Sequence, residues 1–143
     1  FIGSPPMNFL HGTLLAKRGE LFFQEQAGKR PAVPNPVTVQ LAGASAPPLR
    51  PYVGQRVVFG IRPEDLVCRS PLPETPQGGT AEAVVEVVQP MGSEAYLYLA
   101  SHAHSLVARA RAMDQFSVNQ QISLAFDMPH AHFFDPASGV AVV

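Results

Sequence analysis

The sequence predicts an all-β protein, most economically a small barrel or sandwich of short antiparallel strands. Three observations lead there. The 143 residues include 15 prolines, about twice the usual share of ~5 %, and these fall between apolar runs, where they shorten loops and break helices. The apolar runs are short and alternate with period two, as half-buried strands do. No stretch has the spacing of a convincing amphipathic helix; residues 108–115 come nearest, at one turn or two.

Residues 1–10 (F-I-G-S-P-P-M-N-F-L) begin as a glycine–proline linker and become extended near Met7. Residues 11–17 and 20–24 read as strands around a turn at Arg18-Gly19, a hairpin. Residues 28–36 are loop, 37–41 a short half-buried strand, and 42–51 a second proline-rich loop. In the fourth strand, 56–61, Val57, Phe59 and Ile61 share one face, and Arg56, Val58 and Gly60 the other. Gly60 marks a place where another backbone or side chain comes close. Pro63 ends the strand, having no N–H for a ladder. That strand delivers Arg62, Glu64 and Asp65 to one corner. If exposed, such charges chiefly solvate it, since an exposed pair contributes only about 0–1 kcal/mol.

Residues 70–79 (S-P-L-P-E-T-P-Q-G-G) form the best internal boundary, and after them the pattern restarts. Residues 80–88 are a strand, 90–93 a turn, and 94–99 a strand with Tyr96 and Tyr98 on one face. Strands at 105–110 and 121–127 complete a second set of four. The chain closes with a hairpin, 130–134 in and 140–142 out, around Asp135, Pro136 and Gly139. The sets align without gaps: residues 53–61 (V-G-Q-R-V-V-F-G-I) match 118–126 (V-N-Q-Q-I-S-L-A-F). Asn119 stands where Gly54 stands, and asparagine is the non-glycine residue that best tolerates a left-handed turn. A duplicated four-strand unit is expected.

Net charge is −1 with 10 Lys plus Arg, which argues against a broad nucleic-acid footprint. Cys68 is the single cysteine, so neither an intrachain disulfide nor a multi-thiolate metal site can form, pointing to a reducing cytoplasm. No apolar run approaches the ~18 residues of a membrane span. A phosphate loop needs G-x-x-x-x-G-K-[ST], but Gly28-Lys29 is followed by Arg30. No G-x-S-x-G elbow occurs, and Cys68 has no local histidine. His102/His104 and His130/His132 could each chelate a metal from one strand face, yet neither pair has a free local third ligand. Asp135 already starts a turn. Glu82 and Glu86 fit a solvated edge. No catalytic constellation emerges, so the chain is read as a non-enzyme without a cofactor or metal.

Three pieces, in order, carry a resemblance: residues 1–10, then Gly60-Ile61-Arg62-Pro63-Glu64-Asp65-Leu66, then His132-Phe133-Phe134-Asp135-Pro136-Ala137-Ser138-Gly139. Residues 83–88, 92–94 and 96–98 fit the same pattern. The whole resembles the C-terminal region of ATP-binding subunits of sugar-type ABC importers, the maltose and glycerol-phosphate family. Two departures stand out: Asp65 replaces the family's usual histidine, and Asn119 its glycine.

The resemblance implies a TOBE regulatory domain, a β-barrel of oligonucleotide/oligosaccharide-binding type. Residues 1–10 would be the linker and leading strand from an upstream ATPase domain, 11–69 the first β unit, and 80–143 the second. ATP and Mg would belong to that upstream domain, in a parent that hydrolyses ATP to drive import of a sugar or related solute. The implied partners are a second copy of the subunit, the transporter's membrane subunits and a regulatory protein, at the inner face of a prokaryotic cytoplasmic membrane. The expected contact region is Gly60, Arg62, Glu64 and Asp65, with Met7, Asn8 and Phe9. The rival reading is a stand-alone barrel that binds an oligosaccharide, an oxyanion or single-stranded nucleic acid, with Tyr96 and Tyr98 as its aromatics.

Overall fold

The computed structural model describes residues 6–28, 30–41, 46–69 and 81–142. The described strands are β1 (Asn8–Lys17), β2 (Glu20–Glu25), β3 (Thr38–Leu41), β4 (Arg56–Ile61), β5 (Leu66–Arg69), β6 (Glu82–Met91), β7 (Glu94–Ala100), β8 (Ser105–Arg111), β9 (Gln121–Phe126) and β10 (His132–Phe134). They form two five-stranded sheets, ordered β10-β4-β1-β2-β3 and β5-β9-β6-β7-β8, with every strand pair antiparallel. The all-β reading holds.

The duplication is visible in the hydrogen bonds. β4 lies beside β1, and β9 beside β6. Before β4, the Gly54 N–H donates to Leu14 O (2.8 Å) and the Leu14 N–H to Gln55 O (3.2 Å). Before β9, the Asn119 N–H donates to Val85 O (2.7 Å) and the Val85 N–H to Gln120 O (2.9 Å). Gly54 and Asn119 both have positive φ, 82° and 69°, the left-handed turn that the aligned sequences require. Residues 53–61 and 118–126 therefore occupy equivalent places.

Each half also gives away its next strand. β5 follows β4 yet pairs with β9; β10 follows β9 yet pairs with β4. The exchange places Phe133 in a buried aromatic cluster, with ring centroids 5.1 Å from Phe59 and 6.2 Å from Phe23. One continuous apolar core, running from Leu10 through Leu66 and Leu97 to Phe133, joins both sheets.

Local chemistry explains the departures from expectation. Within the loop expected at 42–51, the described residues form a short helix, α1 (Ala46–Leu49), and a 3-10 turn, Arg50–Tyr52. Proline is pre-set for a first helical turn, and Leu49 is fully buried. Pro90 and Met91 belong to β6, leaving only Gly92-Ser93 as the turn. There β6 no longer pairs with β9, which contacts it only at Glu82–Val84, so proline loses no ladder bond. β8 runs through Arg111 before a 3-10 turn at Ala112–Asp114, replacing the helical turn considered at 108–115. His130 ends a 3-10 turn, Met128–His130, instead of beginning the last strand. The boundary at 70–79 lies outside the described residues.

Candidate functional site

The residues expected to make contacts fall in three settings. Asn8 is buried (6 % exposed) and clamps the halves together: its Nδ2 donates to Val107 O (2.8 Å), while Oδ1 accepts from Val107 N–H (2.7 Å). Gly60 is buried as well, and an added Cβ would lie 2.6 Å from Met7 Sδ and 2.9 Å from Phe134 Cε2. The close approach read from the sequence is thus made by side chains. Asn8 and Gly60 are both buried, and each holds its neighbours in place. Phe9, 48 % exposed, packs edge-on against Phe134 at 5.9 Å. Met7, Phe9 and Phe134 form a half-open aromatic face over Gly60 on the outside of the first sheet.

Arg62, Glu64 and Asp65 lie on and around a 3-10 turn, Pro63–Asp65, with Arg62 and Glu64 exposed. Asp65 accepts an N–H bond from Asp127 at its backbone oxygen (3.0 Å), joining this turn to its counterpart, Met128–His130. His130 Nδ1 donates to the Asp127 carboxylate at 2.8 Å and lies 4.0 Å from that of Asp65. The Asp127 hydrogen bond, its charge and that of Asp65 raise the His130 pKa against the opposing Arg62 charge. Asp65, Asp127 and His130 offer one potential metal-ligand atom each within 4.8 Å, and of these the His130 nitrogen is already hydrogen-bonded to the Asp127 carboxylate. The other His-x-His pair, His102 and His104, is engaged within the protein. His102 Nδ1 donates to Val33 O (2.8 Å), and both ring nitrogens of His104 are occupied.

The most elaborate polar arrangement was not anticipated. Glu25, with its side chain fully buried, accepts from His104 Nδ1 (2.6 Å), Ser101 Oγ (2.6 Å), Ala103 N–H (3.0 Å) and Val37 N–H (3.0 Å). His104 Nε2 accepts from His11 N–H (3.0 Å), so the ring is neutral with its proton on Nδ1. Arg30 donates to the carbonyls of Ser101 and His104, both at 2.8 Å. Burial alone would push the Glu25 carboxyl up. The bonds from His104, Ser101, Val37 and Ala103 outweigh it and hold the pKa below the ordinary value. A signal existed: Glu25 has the parity of Leu21 and Phe23, a charge on the core face of β2. This network pins the β7–β8 connection to the first half and has no open site for a reactant.

One groove is large. About 610 Å³ lies between β5 and β8, lined by Glu64, Cys68, Arg69, Arg109, Arg111 and Phe116 among others. Burial pushes the Cys68 thiol up to about 12, so at neutral pH it is a packing group and not a nucleophile.

The described residues form two similar halves joined by a buried polar clamp, and no catalytic set is assembled among them. The chain belongs to the TOBE domain family, whose model matches residues 59–134; the MalK OB fold domain model matches residues 3–66. The chain is similar to the trehalose/maltose import ATP-binding protein MalK of Thermococcus litoralis, with 34 % identity over 143 residues, covering 99 % of this chain and 36 % of that protein. The oligosaccharides import ATP-binding protein MsmX of Bacillus subtilis is 30 % identical over 145 residues, again 99 % of this chain and 36 % of the relative. The chain thus spans about a third of the length of these relatives. Among solved structures, the cytoplasmic molybdate-binding protein ModG superposes with a TM-score of 0.63 at 12 % identity, over 90 % of this chain and 96 % of that one. This likeness concerns the fold alone.

Proposed function

We propose that this chain is the non-catalytic regulatory and dimerisation domain of an ABC importer's ATP-binding subunit, in a parent that hydrolyses ATP to import a sugar or related solute. The observation that carries the reading is similarity along 99 % of the chain to about a third of sugar-import ATP-binding proteins. The domain's work is an interface and not a reaction. It holds two subunits together at the inner face of the cytoplasmic membrane and takes up regulators. A regulator shifts the transport cycle only through differential affinity for its states, ~1.4 kcal/mol for each tenfold. ATP and Mg belong to the remainder of the parent.

Within the domain, Phe9 with Met7, and Arg62 with Glu64 and Asp65, are the contact groups, positioned by Asn8 and Gly60. No helix among the described residues is long and apolar enough to cross a membrane; in this reading, the parent is attached through the transporter's membrane subunits.

The test is a chimaera in which this chain replaces the matching segment of MsmX. Dimerisation and solute-coupled ATP hydrolysis are expected to persist, and Glu64→Lys to weaken subunit association. ATP turnover by this chain alone, or a chimaera that remains monomeric, overturns the reading. An unchanged association on charge reversal refutes the corner's part in it.

A further inference from the structure

Two 3-10 turns meet where the halves join, and they bring an imidazole and two carboxylates around one point. We propose that Asp65, Asp127 and His130 bind a divalent cation of the zinc type, which cross-links the halves. The site is built from this chain's own side chains and stands independently of the regulatory reading.

His130 lacks a full ligand set in its own stretch of sequence, and the other half completes it. Asp65 ends the turn Pro63–Asp65, while Asp127 and His130 flank and end the turn Met128–His130. The Asp127 N–H donates to Asp65 O at 3.0 Å, and the His130 N–H to Asp127 O at 2.9 Å. Backbone bonds thus fix all three residues before any ion arrives. One ligand atom of each lies within 4.8 Å of the other two. His130 Nδ1 is 2.8 Å from an Asp127 oxygen and 4.0 Å from an Asp65 oxygen. In a tetrahedral zinc site, bonds of about 2.0–2.2 Å put neighbouring ligand atoms about 3.4 Å apart, between those two distances. Small side-chain rotations close the set, and the half-exposed Asp127 and exposed His130 have room for them.

His132 stands outside the set, its ring 6.3 Å from that of Phe134. The local pair is Asp127-x-x-His130, not His130-x-His132. An i, i+3 spacing across one 3-10 turn stacks two side chains on the same side, and the Nδ1 hydrogen bond shows them meeting there.

Charge and donor type select the occupant. Two carboxylates converge here, and among the described residues neither has an ion-pair partner other than the His130 ring. Arg62 opposes from a distance: its charge reaches the ring, but it pairs with neither carboxylate. Zinc takes the Nδ1 position of the proton that now serves Asp127, and a neutral ring then carries its proton on Nε2. One nitrogen and two oxygens suit zinc, which accepts imidazole and carboxylate ligands alike. Magnesium and calcium prefer oxygen alone. The open side of the turns leaves a fourth position to water.

The experiment titrates zinc chloride into the 143-residue chain, first stripped with EDTA, and follows heat by calorimetry and the His130 ring by NMR. A single zinc per chain is expected in the micromolar range, with the largest shifts at Asp65, Asp127 and His130. Asp65→Asn and His130→Gln should each weaken binding at least about tenfold. Both keep the size of the side chain near the surface, so the fold persists. Asp65→His exchanges an oxygen ligand for a nitrogen one and should hold or tighten zinc, where a merely electrostatic role for Asp65 predicts a loss. Cobalt(II) in place of zinc should show the absorption bands of a tetrahedral site, and Asp65→Asn should remove them. The proposal is overturned by no zinc binding below millimolar concentration, by equal affinity for magnesium, or by binding that survives both Asp65→Asn and His130→Gln. It is equally overturned if Asp65→His weakens zinc as much as Asp65→Asn, or if the ion sits between two chains.

Discussion

The two halves share a backbone and differ in chemistry. Counted from the hairpin turns at Arg18-Gly19 and Gly92-Ser93, Glu25 of β2 stands where Leu99 of β7 stands, and both are buried. One half places a carboxylate with four donors at this point, and the other a plain aliphatic side chain. Asp65 and His130 likewise end matching 3-10 turns with opposite chemistry. The fold therefore does not require the polar groups. They serve one half's particular task of gripping the β7–β8 connection, while the apolar parity shared by both halves makes the barrels.

The largest expected effect tests whether the halves are separate at all. Phe133→Ala removes a fully buried ring and should cost about 3–5 kcal/mol. Because β10 sits in the first sheet but follows β9 of the second, loss of stability should appear at once in both. Amide signals of Phe23 and Leu97, followed through a urea titration, should share one midpoint. Two midpoints would show the halves melting independently and break the comparison at its base.

The next variant makes the first half copy the second. Glu25→Leu leaves His104 Nδ1 and the Val37 and Ala103 N–H groups without their acceptor, while Ser101 Oγ keeps the His104 carbonyl (3.2 Å); with each orphan worth about 1–3 kcal/mol, the expected loss is at least about 3 kcal/mol. The wild-type carboxyl is held below its ordinary value. Its contribution is therefore fully present above the unfolded pKa, ~4.3, and disappears as pH falls through the folded one. Urea midpoints between about pH 3 and 6 should show this acid loss in the wild type and not in Glu25→Leu. Equal stability of the two proteins would mean the network only positions the connection.

What could be read from the sequence follows the same division. Period-two alternation exposed most strands, because each strand buries one face. The aligned Gly54 and Asn119 exposed the duplication, because a left-handed turn restricts residue choice. The exchange of β5 and β10 had no local signal: Leu66 and Phe133 are apolar in either sheet. The clamp made by Asn8 was hidden too, since nothing near it reveals a bond to Val107, 99 positions away. Glu25 did carry a signal in its parity, but its four donors come from Val37, just before β3, and from the β7–β8 connection, which only the folded chain brings near. The groove between β5 and β8 was equally hidden, since its walls meet only after the second sheet curls.

A smaller effect sharpens the equivalence of the turns. With φ at 82° and 69°, Gly54→Ala should destabilise by about 1–2 kcal/mol, whereas Gly54→Asn, copying the second half, should cost less because asparagine tolerates this region. Asn119→Gly should be close to neutral, since the turn it relaxes is already accommodated. Thermal melts of the three variants rank them. If Gly54→Asn is as harmful as Gly54→Ala, the two turns differ beyond their φ angles.

The smallest effect belongs to the paired turns where the halves meet. His130 is exposed, and its pKa is raised first by the Asp127 hydrogen bond, then by the charges of Asp127 and Asp65. A raised pKa means stabilisation fully present below the unfolded value, ~6.5, and lost as pH rises through the folded one, the reverse of Glu25. Solvent screening keeps the contribution slight, so the measurement is the titration of the His130 ring by NMR and not a melt. Asp127→Asn should lower the pKa more than Asp65→Asn, because only Asp127 is hydrogen-bonded to the ring (2.8 Å against 4.0 Å). Asp65→His would give both turns the same residue and place two imidazoles together, lowering the His130 pKa further by replacing an anion with a group that becomes cationic. If His130 titrates identically in all three variants, the two turns approach each other through backbone alone, and the charges at this meeting point do not couple the halves.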